Sequence, residues 1–322
     1  AYAMDGTTTN TQSGTIAIGM SALSALTTGA AASYNVALGY AALSANTTAD
    51  DNTAIGRGAL QVNTTGASNV AVGKGALDAN TTADSNTAVG YGSLTTNTIG
   101  ANNVAVGENA LQANTTASGN TSVGRNSMYA NTTGTSNVAV GFAALDANTT
   151  SSSSTAIGYN SLTANTAASN TAVGKDSLES NTSGGSNTAV GADALATNTT
   201  ASNNVAVGRS ALQANTTGTD NVAVGSNAAD ANTTGNDNTA IGDNAVGGNT
   251  TGSNNTAVGS GSLLVSNGDS NTAIGFVALT ANTTAANNTA VGKSALTTNS
   301  TGAGNTAVGK DALLANTTAS NN

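Results

Sequence analysis

Cysteine, proline, histidine and tryptophan are all missing from this chain of 322 residues. Without cysteine there is no disulfide framework and no thiol chemistry, and without histidine the commonest general base and metal ligand is gone. Aromatic residues make up 2% and charged residues 7%, so bulky groups to fill a round core are scarce. Seven Lys and Arg stand against sixteen Asp and Glu, for a net charge of −9. Phosphate binding needs clustered cations, so nucleic acid is not an expected partner. No apolar run approaches the ~20 residues of a membrane span. No signal-peptide pattern is present. The chain opens on Ala1 without a Met, which fits a secreted protein that has lost a leader and equally a trimmed sequence.

What is abundant is Asn, Thr, Ala, Ser and Gly. Such a composition suits a disordered chain, but its order does not. A unit built around the pentapeptide N-[TV]-A-[VI]-G recurs eighteen times, anchored on glycines from Gly19 and Gly39 to Gly309. Fourteen of the steps between these glycines are 17 residues, two are 16 and the first is 20. Counting from each glycine, position −2 is Ala in every unit but one, where Ser122 stands. Position −1 is always Val, Ile or Leu, and position +3 always Ala or Ser. Leu occupies +4 in fifteen units, with Met128, Ala229 and Val246 in the others. Asn recurs at −4 and at +7, in sixteen units each.

A period of 17 is too short for a helical-hairpin repeat, and Asn, Thr and Gly are poor helix formers. The N-T-A-V stretch reads as a strand and N-T-T-G-x-x-N as a turn. The fold expected is all-β, a parallel β-solenoid or β-roll of about eighteen coils with two short strands and two turns per coil. At ~4.8 Å per coil it would form a rod of roughly 80–90 Å. The array spans residues 15–322, after a leader or cap at 1–14. Val/Ile and Leu columns are expected inside, and Asn columns as side-chain ladders. The 16-residue units are expected to lose a residue in a turn. The thin core points to several chains side by side, with the Ala column as a close-packed face towards a neighbour; Ala fitting a narrow core is the plainer reading. The array stops in register at Asn322 without a capping sequence, as a fragment or a filament subunit would.

The segments N-V-A-V-G and N-T-A-I-G, followed by x-x-[AS], resemble the head repeats of YadA-like trimeric autotransporter adhesins. Similar arrays occur in phage tail-fibre-like proteins and bacterial surface proteins. The resemblance runs from about Thr15 to Asn322. It implies a left-handed parallel β-roll, a homotrimer and an extracellular adhesive or fibre role. The unit here is longer than in those adhesin heads, the extra residues falling in the N-T-T segment.

Two columns are candidates for function. Position +1 holds all seven cations and five of the eight aromatics: Tyr40, Arg57, Lys74, Tyr91, Arg125, Phe142, Tyr159, Lys175, Arg209, Phe276, Lys293 and Lys310. Stacked coils would make this one stripe, fit to contact another chain, a surface glycan or a matrix component. Its plainer reading is long side chains covering the coil below. The turn Asn at +7 forms N-x-[ST] at Asn46, Asn63, Asn80, Asn114, Asn131, Asn148, Asn181, Asn198, Asn215, Asn232, Asn249, Asn282, Asn299 and Asn316. That pattern is either a structural amide ladder or a set of glycosylation acceptors.

No catalytic constellation, metal-ligand spacing or cofactor motif stands out, and the G-G-x-G-x-D pattern of a calcium roll is absent. An extracellular structural fibre or filament with an adhesive role is the function expected, on a cell surface or a virion. A receptor-binding adhesin head or phage tail fibre is the alternative. An ice-binding surface is a minor one, since adjacent Thr in a strand would face opposite ways.

Overall fold

The computed structural model describes residues 13–26 and 32–322; the leader assigned to 1–14 lies outside them up to residue 12. The chain forms two compact units, residues 1–160 and 161–322. The first holds nine three-residue strands, β1 (Ile16–Ile18) to β9 (Thr155–Ile157), and the second nine more, β10 (Thr171–Val173) to β18 (Thr306–Val308). Within each unit, successive strands pair in parallel and in register, Ala71 beside Ala88 and Ala206 beside Ala223. Each unit is therefore a β-solenoid with one strand per coil. No helix among the described residues is long and apolar enough to cross a membrane.

The strands are short because both ends are fixed chemically. At the start, the side-chain Oδ1 of Asn52 accepts the backbone N–H of Asn69 at 3.0 Å, one coil further on. At the end, the anchor glycine turns the backbone into the left-handed half of conformational space, with φ +139° at Gly73. A Cβ on Gly73 would lie 2.4 Å from the carbonyl oxygen of Gly90, so close stacking of the coils admits glycine alone.

The interior differs from the expected one. In the strand Val70–Val72 only the central Ala71 is buried, and its two neighbours are half-exposed. A three-residue strand alternates out, in, out. The column of Ala at −2 therefore faces inwards, and Val/Ile at −1 face outwards. The core consists of that Ala column with Ala or Ser at +3 and Leu at +4, as in Ala54, Ala59 and Leu60, all fully buried. Where Ser122 replaces the Ala, its hydroxyl donates to the carbonyl of Ser127 at 2.8 Å and meets the Ser127 hydroxyl, so no buried polar atom is stranded there.

The expected second strand is also replaced. Beyond the glycine, positions +2 and +4 both take left-handed backbone angles, φ +52° at Leu60 and +53° at Leu77. Alternating handedness curls the chain into successive turns while ladder bonds between coils persist: the Leu60 N–H donates to Ala76 at 3.0 Å and Ala79 to Thr95 at 3.0 Å. Left-handed backbone is costly for Leu. It persists because it aims a large side chain at the Ala columns. One shortened coil shows where length is tolerated: Thr256–Val258 and Thr272–Ile274 stay in register although 16 residues apart. Its loss falls in the turn after Ser266, as the sequence leads one to expect.

Candidate functional site: the outward columns

The cations and aromatics at +1 lie on the surface of each unit. In the first, Tyr40, Arg57, Lys74, Tyr91, Arg125, Phe142 and Tyr159 are all exposed, and in the second Lys175, Arg209, Phe276, Lys293 and Lys310 are too. Several of them spend their side chains on one another. The Phe142 and Tyr159 rings stack, centroids 5.4 Å apart. Arg125 lies 6.0 Å from the Phe142 ring centroid and 3.5 Å from the Glu108 carboxylate. Lys74 sits 5.3 Å from the Tyr91 ring. Lys175 is held by Asp176, whose hydrogen bond raises the lysine pKa above its ordinary value. Lys310 lies 3.4 Å from Asp311, and Arg209 donates to the Ser226 hydroxyl at 3.3 Å. Much of the stripe thus covers neighbouring coils, as long side chains on stacked turns do.

One segment is different. Tyr40, Arg57, Gly58, Gln61, Lys74, Gly75 and Asp78 line an open cleft of about 330 Å³. Its floor is position +2, where Gly58 and Gly75 stand, the first two of a run of three glycines that ends at Gly92 in the next coil. Its far wall is position +5, where Gln61 and Asp78 stand. Burial pushes the Asp78 carboxyl above the ordinary carboxylate range, and does the same to Asp146 and Asp230 in the same column. The Asp78 Oδ1 is buried without a hydrogen-bond partner. The run of three glycines was the sequence signal for this cleft, and reading the columns one at a time misses it.

The turn asparagines form a ladder. Of the fourteen in N-x-[ST], all from Asn46 to Asn299 are buried, and Asn316 is partly so. Asn80 Nδ2 donates to Asn63 Oδ1 at 2.9 Å and to the Ala83 carbonyl at 2.9 Å, and its Oδ1 accepts from Asn97 at 3.1 Å. The same pattern recurs in the second unit, where Asn198 donates to Asn181 at 2.7 Å and Asn215 to Asn198 at 3.1 Å. The Asn at −4 joins in: Asn69 Nδ2 also donates to Ala83 at 2.9 Å, so one carbonyl clips the two columns together. The nitrogen a glycan would need is spent twice inside the wall of the coil.

The outward face of the strands was not anticipated. Positions −3 and −1 present two parallel columns of Thr, Val, Ile and Leu, with no charged residue in either. Val207, Val224 and Ile241 are 36%, 37% and 40% exposed. The paired Thr of the turn do diverge: Thr47 donates its hydroxyl to the Thr64 carbonyl at 3.0 Å, and Thr48 is exposed. No protein-family model and no curated protein matches this sequence.

Proposed function

We propose that this chain is an extracellular structural fibre protein whose copies associate side by side, with an adhesive role carried by the +1 stripe. The observation that supports it is the uncharged double column of β-branched residues on the outer face of each unit. Such a strip of half-exposed Val and Ile along a sheet is what a protein–protein contact covers. The coils behind it are uniform in register and in the residues they bury, which suits a scaffold. The resemblance to trimeric adhesin heads and tail fibres favours a small closed oligomer and a place on a cell surface or a virion.

Sedimentation of the purified chain, with electron microscopy of the same sample, tests the reading. Multi-chain rods or filaments are expected, and V72K/V106K, which places two charges on the outer face of the first unit, is expected to lower the oligomeric mass. Discrete rods of a few chains favour the adhesin-head or tail-fibre form, and continuous filaments the structural one. A native chain that stays monomeric at every concentration reached would overturn it.

A further inference from the structure

We infer that the cleft lined by Tyr40, Arg57 and Lys74 binds a carboxylate-bearing sugar residue of an acidic polysaccharide. This rests on the adhesive reading of the stripe and gives it a ligand class.

The charge pattern comes first. Seven cations serve a chain of net charge −9. Among the described residues, ion pairs are made by Arg125, Lys175 and Lys310. Arg57 and Lys74 make none. They are consecutive members of the stripe, with backbones one coil or about 4.8 Å apart, and both line the cleft. Two adjacent cations without carboxylate partners, on an otherwise acidic protein, form a local anion site that nothing inside the chain fills.

The shape comes second. Position +2 carries a side chain in most coils, including Asn109 and Asn126 in this unit, but Gly58, Gly75 and Gly92 leave it bare. A Cβ built on Gly75 meets nothing within 4 Å, so open space lies directly over the floor. Left-handed backbone there, φ +65° at both Gly58 and Gly75, also favours glycine, yet other coils tolerate Asn, Asp, Ser or Ala at the same angle. The cleft's volume of about 330 Å³ is at the small end of ligand pockets, ~300–1000 Å³, and suits a saccharide more than a peptide.

The walls supply the rest. Tyr40 is 50% exposed and lines the cleft with the two cations. An exposed aromatic ring packs against the C–H face of a pyranose, and its hydroxyl adds a polar contact. Gln61 and Asp78 oppose them with acceptors for sugar hydroxyls. A carboxylate on the ring answers Arg57 and Lys74. Successive residues of a glycan also advance by about one coil height, so a polysaccharide can follow the stripe from Tyr40 to Tyr91. A single shallow site binds weakly, and several copies in one fibre would raise the avidity.

The test uses the full chain and three probes: an oligogalacturonate, a hyaluronan oligosaccharide and a trimer of sialic acid, each beside its carboxyl-reduced form. Binding is read by saturation-transfer NMR and by calorimetry at low and physiological salt. At least one acidic probe is expected to bind, at least tenfold better than its reduced form and more weakly as salt rises. R57Q/K74Q is expected to abolish the binding, while T82A, at an exposed turn residue outside the stripe, leaves it within twofold. Equal binding of acidic and neutral forms, no binding of any probe, or binding indifferent to R57Q/K74Q would overturn the site. Sedimentation of R57Q/K74Q separates this from the fibre reading. An unchanged oligomer with lost binding supports the site. A dissociated oligomer makes Arg57 and Lys74 chain–chain contacts and overturns the site alone, with the fibre intact as a proposal.

Discussion

The single residue that carries most of the wall is the turn asparagine. Its amide is used three ways, once towards each neighbouring coil and once to its own turn, as at Asn80. Alanine there strands the Asn63 oxygen and an Asn97 N–H, and it removes one of the two donors to the Ala83 carbonyl. Each buried orphan costs about 1–3 kcal/mol, so N80A is expected to destabilise the first unit by roughly 2–4 kcal/mol. Aspartate should be worse at neutral pH, because a carboxylate cannot donate to Ala83 and would be buried as a charge. Exposed Thr82, two residues on, is the control, and T82A should stay within about 0.5 kcal/mol. Denaturant melts of the three variants check this, and an N80A as mild as T82A would remove the ladder from the account of stability. The ladder itself was legible in the sequence, because an amide recurring at one position of sixteen units has few uses other than bonding to its own copies.

At the scale of the coil, period and class were readable and the facing of the strand was not. Eighteen near-identical units fixed the stacking direction and the parallel register. The error at position −1 comes from ranking residues by bulk, which puts Val and Ile in the core; for Ala at −2 the sequence leaves open a face towards a neighbour or, more plainly, a narrow core, and the narrow core is what the structure has. The columns contain the correct signal in another form. Position −2 accepts only Ala and once Ser, whereas −1 accepts Val, Ile and Leu. A position that tolerates a single small size is hemmed in, and one that tolerates three shapes is not. The buried Leu in left-handed backbone had no sequence signal at all, because Leu has no preference for it. Neighbouring residues of one strand test the assignment. A88V pushes two extra carbons into a filled interior and should cost about 1–3 kcal/mol or more. V89A removes the same bulk from the outer face and should cost less than about 1 kcal/mol in the dissociated chain. The reverse ranking would restore Val to the core.

At the scale of the whole molecule, the question is what a thin solenoid gains from a second copy. Each coil commits one Leu and two small residues to its interior, and leaves one aliphatic and one β-branched side chain half-exposed on the strand face. Every unit thus keeps much of its apolar surface outside, unlike a globular domain of similar length. Covering that face stabilises the folded chain by mass action, since the unfolded chain does not offer it. The thermal midpoint should therefore rise with protein concentration, by on the order of a few °C per tenfold step. Added salt should raise it further, because a net charge of −9 repels its copies and screening weakens that repulsion. V72K/V106K is the informative variant. Its two lysines make the chain less negative, so repulsion between copies falls, and yet the apolar strip is broken. If the outer face is the contact, this variant melts at one temperature whatever its concentration. If it keeps the concentration dependence of the parent, association runs through some other surface, and the half-exposed Val and Ile are only the outer side of a three-residue strand.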